Sequence, residues 1–337
     1  MNTRTLIIGV GSALLAIPIV GFLLQGLAAI EPGIFFAWDF YAEVVVKGLL
    51  QGVMYALVAL GFVLIFKASS IFNFAQGAMV LFAALAMVGF MEAGLHWTIA
   101  FILAGGIMIL VAFAIERVVL RPLVNQPHII LFMATIGIFF VLDGVGQTIW
   151  GSNVKALDIG ISRTPITAFQ GELLPNGMLL DPTEIVAAVV GALMVGLLAF
   201  LFQYTKVGRA LRAVADDHQA ALSVGIPLKT IWTIVWSVAG LVALVAGVMW
   251  GSSLGVQFSL SLIALKALPV LILGGFTSIP GAIVGGLIVG AGEQVGEVFL
   301  GPLVGGAIQD WFAYMLAMLF LLFRPQGLFG ERIIERV

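Results

Sequence analysis

The sequence predicts an all-α, polytopic membrane protein of about ten transmembrane helices. Of 337 residues, 62% are apolar and 9% are charged. A soluble domain carries about 25% charged residues, so a water-facing surface cannot be built from this chain. The mean hydropathy is +1.18. Stretches close to the ~20 apolar residues that a spanning helix needs recur along the whole length. The 41 glycines follow no Gly-X-Y period, which excludes collagen and fits close helix packing in lipid. A soluble globular enzyme and a disordered chain are both excluded. A net charge of −2 gives no footing for nucleic acid. The absence of cysteine rules out disulfides, thiolate metal sites and cysteine nucleophiles. His96, His128 and His218 are too scattered for a metal cluster.

The first span is 6–30, which follows Arg4 and contains no charge. It is too long for a signal-peptide core and lacks an A-x-A cleavage site. The next spans are 48–66, a short 77–91, 97–115, 129–150, 185–202 and 231–250. Residues 262–292 are interrupted by Gly274-Gly275 and Pro280-Gly281 and read as two short helices, and 311–323 with Ile308 closes the count at ten. Eight spans with re-entrant pieces is the alternative. The chain reads as one membrane domain over 1–337, with no second domain; the longest outer loop, 151–184, holds Pro165, Pro175 and Pro182 and reads as turns with at most a short strand.

Charge tests the topology. With the N-terminus inside, the inner segments hold Arg4, Lys67, Arg117, Arg121, Lys206, Arg209, Arg212, Lys229, Arg324, Arg332 and Arg336, which is 11 of the 15 basic residues. The outer segments hold Lys47, Lys155 and Arg163, and Lys266 stands at the edge of a span. This is the positive-inside asymmetry, and it puts both termini in the cytoplasm.

The inner loop 203–229 carries the most information. Leu211, Val214, Ala215, His218 and Leu222 share one helical face, and Gly225 and Pro227 then stop the helix. The pattern predicts one amphipathic helix outside the bilayer, with Ala210, Ala213, Ala220 and Ala221 between its charges. On physical grounds it is either a linker lying on the membrane or a lever seated in a groove of a cytoplasmic partner.

Residues Gly208 to Asp217, with Ala220-Ala221 and Gly225-Ile226, resemble the cytoplasmic loop of permease subunits of the branched-chain amino acid ABC importers. Four further segments agree in order. Ile71-Phe72-Asn73-Phe74-Ala75-Gln76-Gly77 is similar to that family's entry to an early span, and Glu116-Arg117-Val118-Val119-Leu120-Arg121-Pro122-Leu123 to an inner loop. Gly274-Gly275, Ser278-Ile279-Pro280-Gly281-Ala282 and Gly285-Gly286 resemble its glycine-rich break, and Arg324-Pro325-Gln326-Gly327-Leu328-Phe329-Gly330 its C-terminal motif. The likeness covers about 44–330 and is to the H-type subunit rather than its M-type partner. It departs at Phe276-Thr277 and in an extra N-terminal helix within 1–40.

The resemblance implies a subunit without an ATP site, paired with an M-type permease, two cytoplasmic ATPases that hold the ATP, and a periplasmic or lipid-anchored binding protein, in a bacterial inner membrane. It implies that Gly208, Arg209, Arg212, Ala213, Asp216, Asp217, Ala220, Ala221 and Gly225 couple the pore to ATP hydrolysis. Leucine, isoleucine and valine are the expected cargo, with other neutral amino acids, urea or short amides as alternatives.

Other residues stay open between two roles. Asn73 and Gln76 either cap or bridge helices or line the translocation path. The broken segment with Ser278 and Pro280 is a second candidate for that path. Asp143 is the one acid inside a clear span, either a contact for a substrate ammonium or an acid near the outer surface paired with Lys266 or Lys47. Lys266 is expected to snorkel outward, and Glu293, Glu297 and Asp310 to sit solvated on outer connections. No P-loop occurs, since Lys229-Thr230 follows Pro227-Leu228, and no H-E-x-x-H or Ser/His/Asp order is present. The chain is therefore expected not to be an enzyme, to hold no cofactor or metal, and to work with partner ATPases. An ion-coupled secondary transporter would need more ionisable groups in its path than Asp143 provides, and a membrane scaffold leaves the inner-loop helix without a purpose.

Overall fold

The computed structural model describes residues 12, 16–18, 38–123, 126–162, 164–171, 177–216 and 218–330. The expected first span therefore lies outside the described residues apart from four positions, as do Arg163, Pro175, Asp217, Arg332 and Arg336.

The helices in chain order are α1 (Trp38–Ser69), α2 (Gln76–Glu92), α3 (Trp97–Ala114), α4 (His128–Trp150), α5 (Pro182–Tyr204), α6 (Lys206–Asp216), α7 (His218–Ser223), α8 (Leu228–Leu254), α9 (Ser259–Gly274), α10 (Ile279–Val304) and α11 (Gln309–Phe323). A π-helical turn, Ile115–Leu120, and a 3-10 turn, Arg121–Leu123, continue α3. Among the described residues, six helices are long and apolar enough to cross a membrane, and α2, α9 and α11 are shorter apolar helices. The chain is not purely helical. Strand β1 (Ile166–Ala168) pairs antiparallel with β2 (Met178–Leu180) in the long α4–α5 connection.

Helices α1 and α8 form the centre: 72% of the apolar window in each is buried, against 17% in α5. Trp232 and Trp250 of α8 fill the seam, donating their indole N–H groups to the Ala68 and Met54 carbonyls of α1 at 3.1 and 3.3 Å. Helices α3, α4 and α5 instead expose Ile102, Phe140 and Leu193, which water would penalise and lipid does not.

Glycine sets the closest contact. Gly48 and Gly52 of α1 face Gly286 and Gly290 of α10, and a Cβ on any of the four would run into the opposing backbone. Each pair is spaced i, i+4, the small-xxx-small pattern that lets membrane helices approach without side chains between them.

The segment 262–292 holds two helices parted where expected, at Gly274-Gly275, but the second is not short. The later glycine doublet packs rather than interrupts. Gly285 and Gly286 lie inside a 26-residue α10, and Pro280 stands in that helix's first turn, where a missing N–H costs nothing. Only Gly275 to Ser278 leaves helical geometry, with Gly275 at φ +103°.

The acids near this segment are also placed differently. Glu293 and Glu297 belong to α10, and Asp310 to the first turn of α11. Glu293 is fully buried and accepts from Lys266 Nζ at 2.8 Å, while Asp310 sits 2.9 Å from the same ammonium. Lys266 thus points into an ion cluster between α9, α10 and α11 rather than snorkelling outward. Glu297 caps the α10–α11 turn by accepting from the Ala307 and Gln309 N–H groups at 2.8 and 2.9 Å. Glu293 and Glu297 find donors within the protein in place of the expected water, while Asp310, 73% exposed, keeps its solvent as well as its contact with Lys266.

Candidate functional site

The helical turns carrying Lys67, Arg117, Arg121, Arg212 and Arg324 gather at one end of the bundle, the basic end. There α5 turns sharply into α6. The Thr205 hydroxyl bonds back to the Leu201 carbonyl and accepts from the Gly208 N–H at 3.1 Å. A Cβ at Gly208 would strike the Phe202 backbone. Arg212 donates an Nη1 bond to the Phe202 carbonyl at 2.6 Å, and Arg209 reaches the Tyr204 carbonyl at 3.4 Å. Two arginines therefore satisfy carbonyls at the α5 terminus, where cations are favoured.

The amphipathic pattern is realised in part. Leu211 and Val214 are buried, Ala213 and Ala215 are half-buried, and Arg209 and Arg212 are exposed. Helical residues lie on both sides of Asp217, as α6 and α7; Asp217 itself lies outside the described residues together with the side chains of Asp216, His218 and Ala220. Ala221 is buried at 2% exposure, so it packs on the bundle, whereas Leu222 at 54% faces outward. Gly225, at φ +81°, and Pro227 then end the segment and open α8.

Asn73 and Gln76 are both buried. The Asn73 side chain accepts from the Ala75 N–H at 3.1 Å and donates to Gln76 Oε1 at 3.4 Å. Gln76 Nε2 has no partner among the described residues. The pair meets at the α2 N-terminus. Thr135 of α4 holds the same turn. Its hydroxyl accepts from the Phe74 N–H at 3.2 Å and lies within bonding distance of the Phe72 and Phe132 carbonyls.

Ser278 caps α10 by accepting from the Gly281 N–H at 3.0 Å. Opposite it, the chain after α11 closes on the end of α9: the Leu328 and Phe329 N–H groups donate to the Leu273 and Gly274 carbonyls at 2.8 and 3.1 Å. A cavity of about 310 Å³ lies beside this junction, lined by Lys67, Gln203, Arg212, Ser278, Pro280 and Phe329 among others. It brings Arg212 of the inner-loop helix together with Ser278 and Pro280 of the broken segment. Asn73, Gln76 and Asp143 stand elsewhere.

Asp143 lies towards the far end of α4, accepting from Gln147 Nε2 at 2.9 Å beside a small cavity of about 30 Å³. Neither lysine proposed for it is its partner. Lys47 pairs with Glu43 at 2.6 Å and Lys266 with Glu293 and Asp310.

Two clusters escaped the sequence reading. Buried Glu116 takes a bidentate bond from Arg121, at 3.1 and 2.8 Å, and accepts from the Thr233 hydroxyl at 3.2 Å, tying the end of α3 to α8. Gln51, Tyr55 and Gln294 form a chain from α1 to α10, at 2.7 and 2.5 Å. The first was signalled by a glutamate five residues before an arginine in a buried turn, the second by amides inside apolar spans.

A family model described as branched-chain amino acid transport system / permease component matches residues 44–324. The high-affinity branched-chain amino acid transport system permease protein BraD of Pseudomonas aeruginosa is 32% identical over 311 residues, covering 88% of this chain and 98% of that protein. The corresponding permease protein LivH of Salmonella typhimurium is 29% identical over the same shares. The probable branched-chain amino acid transport permease protein LivH of Methanocaldococcus jannaschii is 26% identical, covering 81% and 88%. With most of its length matched by the family model, and near-complete coverage of relatives at up to 32% identity, the chain belongs to the family of branched-chain amino acid transport system permease components.

Proposed function

We propose that the chain is the membrane-spanning permease of an ATP-binding-cassette importer in a bacterial inner membrane. The basic end faces the cytoplasm, as the positive-inside rule requires. The cargo is a branched-chain or other neutral amino acid delivered by a periplasmic or lipid-anchored binding protein. An M-type permease completes the pore, and two cytoplasmic ATPases bind and hydrolyse the ATP; this chain holds neither nucleotide nor cofactor. Residues 203–229 form the coupling loop, with the extra helix of 1–40 accessory to transport.

The observation that carries the reading is the shared cavity at the basic end. Arg212, on a helix with an exposed cationic face, and Ser278 and Pro280, at the α9–α10 junction, line one space. The α5–α6 elbow is tight, since Gly208 abuts Phe202. A push on α6 therefore moves the ends of α5 and α10 as bodies, the kind of rigid shift that opens one side of a pore and closes the other.

The test is uptake of radiolabelled leucine into proteoliposomes holding both permeases and both ATPases, with the binding protein outside. Uptake is expected to require internal ATP, to survive a protonophore, and to vanish in Ala213→Trp while the ATPases still co-purify. Protonophore-sensitive uptake at constant ATP would replace this reading with ion-coupled transport. Normal uptake in Ala213→Trp would leave the helix a linker.

A further inference from the structure

We propose that the cavity between the ends of α1, α5, α6 and α10 binds the headgroup of an anionic phospholipid from the cytoplasmic leaflet. Its volume, about 310 Å³, lies at the small end of ligand-sized pockets, about 300–1,000 Å³. Two cations, Lys67 and Arg212, line it, and no carboxylate stands among its described lining residues. Arg212 spends one nitrogen on the Phe202 carbonyl, which leaves the rest of its guanidinium fork for an anion. Lys67 makes no hydrogen bond or ion pair with the described residues. A half-buried ammonium without a counter-ion is poorly placed unless an anion or water meets it.

The apolar wall identifies the source of that anion. Ala199, Phe202 and Ile283 give the cavity an apolar wall on α5 and α10, and the α5 face that carries Ala199 is exposed at Gly196 and Ala192. A free phosphate or an amino-acid carboxylate would gain nothing from that wall. A lipid places its phosphate at the cations and its acyl chains against the exposed face of α5. Basic pockets between helix ends on the cytoplasmic side suit this chemistry. The inference rests on the orientation proposed above but not on the transported substrate.

The experiment uses the full chain in its assembled transporter, reconstituted in nanodiscs of phosphatidylcholine with increasing phosphatidylglycerol. Retained lipid is counted by mass spectrometry after gentle extraction. Wild type is expected to retain phosphatidylglycerol above the bulk ratio. Lys67→Gln should weaken that retention about fivefold, the contribution of one cation at an anionic surface, and Lys67→Arg should restore it. Ala199→Phe, which fills the apolar wall and leaves both cations, should weaken retention too, so the proposal does not depend on one variant folding. Equal retention in wild type, Lys67→Gln and Ala199→Phe would overturn the site. Full displacement of the lipid by millimolar glycerol 3-phosphate would overturn the lipid in favour of a free anion. Failure of ATP-driven leucine uptake in wild type would strike the transport reading and leave this measurement standing.

Discussion

The ion cluster between α9, α10 and α11 predicts an asymmetry between its two buried members. Glu293 has no exposed side-chain surface, Lys266 is 28% exposed, and Asp310 is 73% exposed. Replacing Lys266 by Met leaves the Glu293 carboxylate charged, buried and unpaired inside a spanning helix. Breaking a buried pair in this way costs about 3–5 kcal/mol. Replacing Glu293 by Gln keeps the shape and leaves Lys266 its 2.9 Å contact with Asp310. That variant loses one charge-assisted bond, about 1.5–3 kcal/mol, and is relieved of desolvating a carboxylate, so its net cost falls below about 2 kcal/mol. The double variant buries no charge and should lie within about 1 kcal/mol of wild type, a favourable coupling of at least about 2 kcal/mol. Unfolding in mixed bicelles with increasing dodecyl sulfate, followed by tryptophan fluorescence, orders the four proteins. Equal losses in the two single variants, or additive losses in the double variant, would refute an anchored pair and leave Lys266 merely snorkelling.

Three further outcomes follow from the geometry. Gly290→Leu should destabilise by about 1–3 kcal/mol or more through overpacking against Gly48 and Gly52, whereas Gly106→Leu, whose Cβ meets nothing within 4 Å, should stay within about 0.5 kcal/mol; the same bicelle titration reads both. Gly327→Ala forces a side chain onto φ +78° with the Gly275 nitrogen 2.8 Å from its Cβ, so it should cost at least about 1–3 kcal/mol and speed proteolysis of the C-terminal segment. In a chain without cysteine, Thr167→Cys should react with an impermeant maleimide in intact cells and Val224→Cys, at 76% exposure, only after permeabilisation; labelling of Val224→Cys in intact cells would reverse the orientation.

Span placement was legible because lipid imposes a long, one-signed pattern: α2, α3 and α4 lie within one residue of the stretches read from hydropathy at nearly every end. The long loop was legible as turns, though its hairpin pairing needs partners ten or more positions apart, such as Ile166 with Leu180, which no local pattern specifies. In 262–292 the break after Gly274 was legible, but the length of the helix beyond it was not, because glycine and proline have two uses. In water they punctuate helices, but between membrane helices a glycine row is a contact surface, and Gly286 and Gly290 are read correctly only once Gly48 and Gly52 are seen opposite them. Glu293 misled for a related reason. Its charge argued for water until Lys266, 27 residues earlier, supplied the counter-ion. At the basic end, the meeting of Arg212 with Ser278 and Pro280 joins positions more than 60 apart, and spacing along the chain holds no trace of it.

The same end explains why short motifs recur there. Asn73 ties the turn before α2, Glu116 and Arg121 tie the end of α3 to α8, Ser278 caps α10, and Leu328 and Phe329 cover the last carbonyls of α9. Each replaces hydrogen bonds that a helix end would otherwise seek from water near the membrane boundary. A helix end fixed by side chains or by a second strand of backbone does not fray, and a non-fraying end transmits displacement instead of absorbing it. The inner-loop segment is built differently on its two sides. Leu211, Val214 and Ala221 anchor it to the bundle, while Arg209, Leu222 and Val224 stay outward. Under the proposed coupling role, force delivered to that outward side finds no loose turn between α6 and the ends of α5, α9 and α10. The spanning helices must then move together or not at all.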